Sequence, residues 1–245
     1  MIDILRDYGL LLLVGQFPNG PVGGLALTLF LAVSGLLLSF PLAIVMGVAR
    51  TSPIKAVQYP ATAVVYAVRG LPVLMLIFWA YFIVPMVVGR SISGITTLIV
   101  ALVVYELAFM GEVVKAGIVA VPKGQVEAAR SLGMTYFATM RKVILPQALV
   151  NMIPSILNQL INLIKNTSLG YIISVGELTY SAYQINAQLL TRPFQVYLIL
   201  AITYFVLCWT LGLAVSRLEK KLSQARCTPD VPTPLQRLVS KEATT

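Results

Sequence analysis

The stretch EAARSLGMTYFATMRKVILPQA, residues 127–148, differs from the sequence on both sides of it. An acid and two alanines favour a short helix, Gly133 can end or kink it, and TYFATMRKVIL can resume it before Pro146 begins the fourth span. Small alanines and a single acid suit a helix that packs into a groove of another protein. The same residues are also compatible with an ordinary basic loop, and physical reasoning alone leaves both readings open.

The rest of the chain has the composition of a membrane protein. Of its 245 residues, 58% are hydrophobic and 11% are charged, and the mean hydropathy is +0.87, whereas a soluble domain carries about 25% charged residues. Several apolar runs reach the ~20 residues that a bilayer requires. We therefore expect an all-α integral membrane protein. Its five predicted transmembrane helices cover residues 24–49, 58–88, 95–120, 147–168 and 195–217.

The basic residues predict the orientation of these helices. If the loop at 50–56, the loop at 115–142 and the C-terminal tail share one side, that side holds 13 of the 18 basic residues. The positive-inside rule makes that side cytoplasmic, so we expect the N-terminus outside and the C-terminus inside. The thirteen are Arg50, Lys55, Lys115, Lys123, Arg130, Arg141, Lys142, Arg217, Lys220, Lys221, Arg226, Arg237 and Lys241.

Three regions are expected along the chain. Residues 1–22 mix acids with a base before a short apolar core, which is unlike a signal peptide and suggests an interfacial helix outside the membrane. Residues 23–220 form the transmembrane domain, in which GELTYSAYQINAQLLTRPF predicts a short amphipathic helix at the outer surface. Residues 221–245 contain three prolines and no sustained apolar period, so they predict a loose cytoplasmic tail.

Residue types that carry much enzymatic chemistry are scarce. The sequence has no histidine and two cysteines, Cys208 in the fifth predicted span and Cys227 in the tail. Their positions predict neither a disulfide nor a metal site. Zinc chemistry and Ser–His catalysis are effectively excluded, and we expect no metal or cofactor in this chain.

Two places interrupt the hydrophobic pattern inside predicted spans. The first is Arg69-Gly70-Leu71-Pro72, where proline removes a backbone donor and disfavours helix at the residue before it. The second is Lys165-Asn166-Thr167-Ser168, at the end of a helix that carries its own polar row. Interrupted helices with polar groups at membrane depth are a sequence indicator of a transporter's substrate site.

Polar and charged side chains within the spans allow two interpretations. A row at steps of four and three residues lies on one helical face, and such residues can simply hold neighbouring helices together. The row is Asn151, Ser155, Asn158, Asn162 and Lys165. A charge at mid-bilayer costs at least ~2.5–3.5 kcal/mol on insertion scales, so we expect the four ionisable residues to serve a pathway or structural ion pairs. They are Arg69, Glu106, Glu112 and Lys165.

The opening stretch resembles the EAA signature of permease subunits of type I ABC importers. The matching residues are Glu127, Ala128, Ala129, Gly133, Val143, Leu145 and Pro146, with Val143 where isoleucine is usual. The segments VPKGQVEAARSLGM, LPQAL and KNTSL, the break at Arg69 and Glu112 in YELAFMGEVVKAGI are similar to the polar amino acid uptake branch. The resemblance covers about residues 22–220.

This resemblance implies five transmembrane helices per subunit, a second permease subunit, identical or homologous, and two cytoplasmic ATP-binding subunits. A periplasmic or lipid-anchored binding protein would deliver the amino acid at a bacterial inner membrane. ATP and Mg would be bound by the partner ATPase, because this chain lacks the G-x-x-x-x-G-K-[ST] phosphate loop. The segment at about 123–146 would be the coupling helix that docks into the ATPase. Its predicted interface is Gly124, Glu127, Ala128, Ala129, Leu132, Gly133, Leu145 and Pro146.

The predicted substrate pathway combines the helix breaks with the charged residues. Arg69 and Lys165 are expected to clamp carboxylate groups, with Glu112 as the resting partner of Arg69 and Glu106 as a contact for the α-amino group. The full predicted set is Arg69, Glu106, Glu112, Asn162, Lys165, Asn166, Thr167 and Ser168. Many members of the family have aspartate at the position of Asn166, so its neutral side chain weakens the case for a cationic substrate.

We therefore favour glutamate or aspartate as the substrate, with glutamine and other polar amino acids as the remaining candidates. The competing class is an ion-coupled secondary amino acid transporter, in which Glu106 and Glu112 would relay protons or sodium. The EAA stretch and the count of five spans argue against that class. Nucleic acid is not an expected partner, because the positive charge of the chain is accounted for by membrane topology.

Overall fold

The computed structural model describes residues 2–226, with side chains to residue 222, and this part of the chain is almost entirely helical. A π-helical turn at Met140–Ile144 precedes α8, and a 3-10 helix at Ser168–Ile173 follows it. The α-helices are α1 Ile2–Val14, α2 Gly24–Arg50, α3 Lys55–Arg69, α4 Val73–Val88, α5 Gly94–Val119, α6 Lys123–Ser131, α7 Tyr136–Thr139, α8 Leu145–Thr167, α9 Leu178–Leu189 and α10 Pro193–Arg226.

The described residues contain four helical segments long and apolar enough to cross a membrane. They are α2, α5, the continuous stretch Tyr136–Ile173, and Pro193–Leu222 within α10. The helices α3 and α4 together form a fifth candidate span, bent by 97° at the break between them. The all-α membrane fold with up to five spans is therefore confirmed.

The span predicted over 58–88 consists of two helices, α3 and α4, which are separated at the predicted break Arg69-Gly70-Leu71-Pro72. Pro72 lacks an N–H donor and stands as the N-cap of α4. The helix predicted over TYFATMRKVIL and the fourth span predicted from Pro146 are joined in one continuous helical stretch, Tyr136–Ile173, which passes through the π-helical turn. The π-helical turn just before Pro146 changes the local hydrogen-bond pattern, which lets the helix continue past a residue without an N–H donor.

The C-terminal helix is longer than the sequence predicts. The prediction ended the fifth span at residue 217 and began a loose tail at 221, but α10 continues to Arg226. The first six residues of the predicted tail are therefore helical. The rest of that prediction, residues 227–245 including Cys227, lies outside the described residues.

The helix α5 is the centre of the bundle, in contact with α2, α3, α4 and α8. Its N-terminal half joins an apolar cluster that includes Leu31, Leu98 and Leu163. Its C-terminal half joins a second cluster that includes Ala43 and Met110. Burial of these side chains holds α2 and α8 against α5 and against each other, and fixes the groups that α5 carries.

The end of the molecule that the sequence predicts to lie outside is closed by α1 and α9. Ile4 and Leu12 of α1 are buried in a third apolar cluster with Leu178 and Ile185 of α9. The helix α9 is the short helix predicted between the fourth and fifth spans. The N-terminal segment thus contains the predicted helix, and its apolar side packs on the transmembrane domain.

Candidate functional site

A cavity of about 410 Å³ lies where the end of α3 meets α5 and α8. Its wall combines charged, amide, hydroxyl and aromatic groups in a region otherwise built of aliphatic side chains. Helix α3 supplies its last residue, and α5 and α8 supply the rest. The polar and aromatic members of the wall are Arg69, Phe109, Glu112, Asn151, Ser155 and Gln159.

The charged centre of this cavity is a carboxylate shared by two arginines. Nη1 of Arg69 lies 2.9 Å from Oε2 of Glu112, and Nη1 of Arg50 lies 2.7 Å from the same oxygen. The Arg50 side chain is 0% exposed, whereas that of Arg69 is 36% exposed. The three residues come from the ends of α2 and α3 and from the C-terminal half of α5, so the fold brings together groups far apart in sequence.

Aromatic rings support both guanidinium groups. The Arg50 guanidinium lies 5.6 Å from the centre of the Tyr66 ring, and that of Arg69 lies 5.3 Å from the centre of the Phe109 ring. These distances fit cation–π attraction. Two guanidinium groups facing one carboxylate leave the cluster with a formal excess of one positive charge, and the exposed member, Arg69, presents that charge to the cavity.

The polar row predicted on the fourth span lies along the surface of α8. Ser155, Asn158, Asn162 and Lys165 are exposed in the isolated subunit, and Asn151 is half-buried. Polar groups at membrane depth are unfavourable against lipid and normally face protein or a water-filled path. This side of α8 therefore requires a cover other than hydrocarbon chains.

The structure brings together only part of the predicted pathway. Arg69 and Glu112 form the predicted ion pair and line the cavity. Lys165 is exposed six residues beyond Gln159 on α8, and Glu106 is buried in the helix bundle; neither belongs to the cavity wall. Their predicted roles in the pathway stay predictions.

The KNTS segment is a change of helix type rather than a gap. Thr167 is buried and donates its hydroxyl to the Ile164 carbonyl at 2.7 Å. The Ser168 hydroxyl donates to the Lys165 carbonyl at 2.7 Å, and the chain continues there as a 3-10 helix. Asn166, between Lys165 and Thr167 in the sequence, is half-buried. The segment therefore satisfies its own backbone, and its contact with a substrate remains a prediction.

The segment between α5 and α8, which the sequence predicts to be cytoplasmic, presents an exposed surface. On α6, Glu127 and Ala128 are exposed while Ala129 is buried against the protein. The chain then turns at Gly133, whose φ of +78° lies in the left-handed region that favours glycine. Leu132 and Phe137, large apolar residues on either side of the turn, are 84% and 72% exposed.

The remaining residues of the predicted interface lie around this turn. Gly124 and Pro146 are exposed, and Leu145 is half-buried. An amide hydrogen bond from Gln147 to Gln125 joins the start of α8 to α6. The helix–glycine–helix surface is thus held on the transmembrane domain and carries apolar side chains that water alone would not favour.

A hydrogen bond joins this segment to the charged cluster. The hydroxyl of Tyr136, the first residue of α7, donates to the carbonyl of Thr51 at 3.3 Å. Thr51 directly follows Arg50 at the end of α2. The exposed turn and the shared carboxylate are therefore connected through two adjacent residues, Thr51 and Arg50, at the end of α2.

Sequence reasoning missed Arg50 as a site residue. Arg50 ends an apolar run, where a basic residue is equally typical of a solvent-exposed position on the cytoplasmic side. The prediction of topology from the basic residues counted it in that way. The structure buries it instead against Glu112 and Tyr66. Only the pairing with an acid more than sixty residues later distinguishes the two cases, and composition cannot show that pairing.

Residues 35–224 match the family described as the binding-protein-dependent transport system inner membrane component. The chain belongs to this family. It is 35% identical over 198 residues to the probable glutamine ABC transporter permease protein GlnP of Bacillus subtilis, a match that covers 80% of this chain and 90% of that protein. The glutamate/aspartate import permease protein GltK of Escherichia coli is 34% identical over 205 residues, with 81% of this chain and 91% of that protein covered.

A solved structure supports the same assignment. The crystal structure of an amino acid ABC transporter with histidines matches with a TM-score of 0.74 and 33% identity, over 81% of this chain and 92% of that one. This protein is therefore a permease of an ABC importer for amino acids, the membrane-spanning component that works with an ATPase and a binding protein. Nothing in the fold or in these relatives favours the ion-coupled secondary transporter.

Proposed function

We propose that this permease carries an acidic amino acid, glutamate or aspartate, into the cytoplasm. The observation that carries the proposal is Arg69, a base that is partly exposed in a membrane-depth cavity and belongs to a cluster with more bases than acids. An anionic group entering the cavity meets a guanidinium already oriented for it. Arginine presents a planar pair of donors that matches a carboxylate.

The neighbouring groups support a substrate that is both charged and polar. Asn151, Ser155 and Gln159 line the cavity beside Arg69 and offer donors and acceptors for the polar parts of an amino acid. Lys165, exposed further along the same helix, supplies the second positive charge of the proposed clamp. A second carboxylate on the substrate would distinguish glutamate from glutamine at such a clamp.

The pairing of the permease is inferred from the exposed polar side of α8. We place a second permease subunit, homologous or identical, opposite Ser155, Asn158 and Asn162, with the translocation pathway between the two subunits. In that arrangement the polar row faces a water-filled path instead of lipid.

The exposed turn around Gly133 supports the proposed docking of the ATPase. A helix with a small, partly buried alanine face and two large exposed apolar residues is suited to a groove on a partner. Each permease subunit would bind one copy of the ATPase. The docking surface and the C-terminus would then lie in the cytoplasm, and the N-terminus would lie outside. ATP and Mg belong to that partner, and the binding protein delivers the substrate from the opposite side.

Uptake by the complete assembly in proteoliposomes tests the substrate. The permease, its ATPase and its binding protein are reconstituted, and radiolabelled glutamate uptake is measured with and without ATP. An excess of unlabelled aspartate should compete strongly, and glutamine and arginine should compete weakly. Equal competition by glutamine, or uptake of glutamine in preference to glutamate, would overturn the acidic specificity.

A further inference from the structure

We infer that Arg50 is a positioning residue that holds Glu112 when a substrate carboxylate takes its place on Arg69. This inference rests on the proposed carboxylate-binding function of Arg69 and goes beyond it by naming the residue that makes the exchange feasible. Arg50 then stays bonded to the Glu112 carboxylate, while Arg69 can leave it to bind the substrate.

The two arginines differ in burial, as expected if Arg50 stays bonded to Glu112 while Arg69 exchanges Glu112 for the substrate. Arg50 is completely buried, bonds to Glu112 at 2.7 Å and lies over Tyr66. Arg69 is partly exposed, bonds at 2.9 Å and faces the cavity. A ligand in the cavity can therefore reach the guanidinium of Arg69, whereas that of Arg50 is closed off by protein.

Arg50 also has unused capacity to bind the carboxylate. Its Nε and Nη2 atoms are buried and have no hydrogen-bond partner among the described residues. Both oxygens of Glu112 could bind to the fork of donors on Arg50 once Arg69 turns to the substrate. Without Arg50, releasing Arg69 would leave the Glu112 carboxylate with no arginine bonded to it, which disfavours the exchange.

The exchange of Arg69 between Glu112 and the substrate predicts that a second substitution restores the KM that a first one raises. In Arg50→Gln, Glu112 can bond only to Arg69, so its carboxylate competes with the substrate for the Arg69 guanidinium. The KM for uptake should therefore rise about 10- to 100-fold, which corresponds to the free energy of one hydrogen bond to a charged group. In the double variant Arg50→Gln/Glu112→Gln the competing carboxylate is gone, and the KM should return towards the wild-type value. A purely structural contribution of Arg50 would not be restored by a second substitution.

The experiment measures the KM and kcat of ATP-driven uptake of radiolabelled glutamate by the reconstituted assembly. The variants are Arg50→Gln, Arg50→Lys and the double variant, and basal ATPase activity and recovery of the intact complex are recorded for each. Lys55→Gln is the matched control, because it removes an exposed positive charge close to Arg50 in sequence. Arg50→Lys keeps the charge without the fork, so its KM should also rise, and the control should behave as wild type.

A wild-type KM in Arg50→Lys would overturn the inference, and this holds even if Arg50→Gln does not assemble. A double variant whose KM is as high as that of Arg50→Gln would overturn it too. If the wild-type assembly transports glutamine and not glutamate, the acidic specificity fails, and the variants are then compared with glutamine. Glutamine also carries an α-carboxylate, so the same order of KM values would still support the exchange.

Discussion

Gly117 in α5 lies directly against Met152 in α8, so closely that a Cβ atom on the glycine would overlap Cγ of the methionine. Both residues line the cavity that contains Arg69. The contact sets the separation between the helix that carries Glu112 and the helix that carries the polar row. The width of the cavity between α5 and α8 thus depends on the absence of a side chain at Gly117.

Gly117→Ala should destabilise the subunit by about 1–3 kcal/mol, the usual cost of overpacking a close contact. The measurement is the thermal unfolding midpoint of the purified complex in detergent. Gly212→Ala is the control, since a Cβ there would meet nothing within 4 Å and alanine is the better helix former. Equal midpoints for the two variants would show that α5 and α8 are not held by this contact.

The cytoplasmic turn should couple the permease to its ATPase. Glu127→Lys reverses a charge on the exposed side of α6, and Gly133→Asp places a charged side chain where φ is +78°. Both variants should insert into the membrane but retain less ATP-binding subunit in a pull-down. Normal retention together with normal ATP-driven uptake in both variants would place the ATPase contact elsewhere.

Tyr136 provides a more conservative test of the same connection. Tyr136→Phe removes only the hydroxyl that donates to the Thr51 carbonyl, so the docking surface itself is unchanged. We expect the ATPase to bind normally while the number of ATP molecules hydrolysed per amino acid rises, because the link between the turn and α2 is weaker. An unchanged ratio would show that the hydrogen bond does not transmit movement.

Glu177 should make the stability of the outer end depend on pH. This residue, outside the spanning helices, is fully buried and accepts hydrogen bonds from the Thr179 and Tyr180 amides at 2.8 and 2.9 Å and from the Tyr204 hydroxyl at 3.1 Å. Burial raises the pKa of Glu177 to about 7, against the ordinary 4.5, while the hydrogen bonds act to lower it.

A raised pKa means that the folded protein binds the proton more tightly than the unfolded chain. The resulting stabilisation is complete below the ordinary pKa of about 4.5 and is lost as the pH rises through about 7. The thermal midpoint should therefore fall between pH 5 and pH 7.5, roughly the window that these pKa values define. Glu177→Gln should flatten that fall. An equal slope in wild type and variant would assign the pH dependence to other groups.

The exposed side of α8 can be distinguished from a lipid-facing surface by thiol labelling. In a background with Cys208 and Cys227 replaced by serine, Asn158→Cys should react with a charged, water-soluble methanethiosulfonate reagent in the assembled transporter. Val206→Cys is the control, because Val206 is exposed on α10 among apolar residues. Equal protection of both cysteines would mean that the polar row is sealed by protein, without a water-filled path.

The sequence predicts the parts of this fold that depend on local pattern. Apolar runs identify the spans, Pro72 identifies the break between α3 and α4, and the steps of four and three residues identify the polar side of α8. Gly133 is likewise predictable, since the helix pattern on both sides requires a turn there. Each of these features is decided by residues close together in the chain.

Features that depend on distant residues were not predictable in the same way. Arg50 is buried because Glu112 and Tyr66 happen to meet it across three helices. The continuity of the helix across Pro146 was not predicted, because it depends on the π-helical turn that lets the chain continue past the proline without a break. In both cases tertiary packing decides between conformations that the local sequence allows equally.

Uptake by two variants tests the central claim, that Arg69 and Lys165 bind the carboxylates of the substrate. Losing one member of a desolvated charge pair costs ~2–5 kcal/mol, so Lys165→Ala should lose most radiolabelled glutamate uptake in proteoliposomes that contain the whole assembly. Arg69→Lys should also fail, because lysine keeps the charge but lacks the planar fork. Basal ATPase activity and docking of the binding protein should survive in both. Near-normal uptake by both variants would contradict the account and make these bases structural.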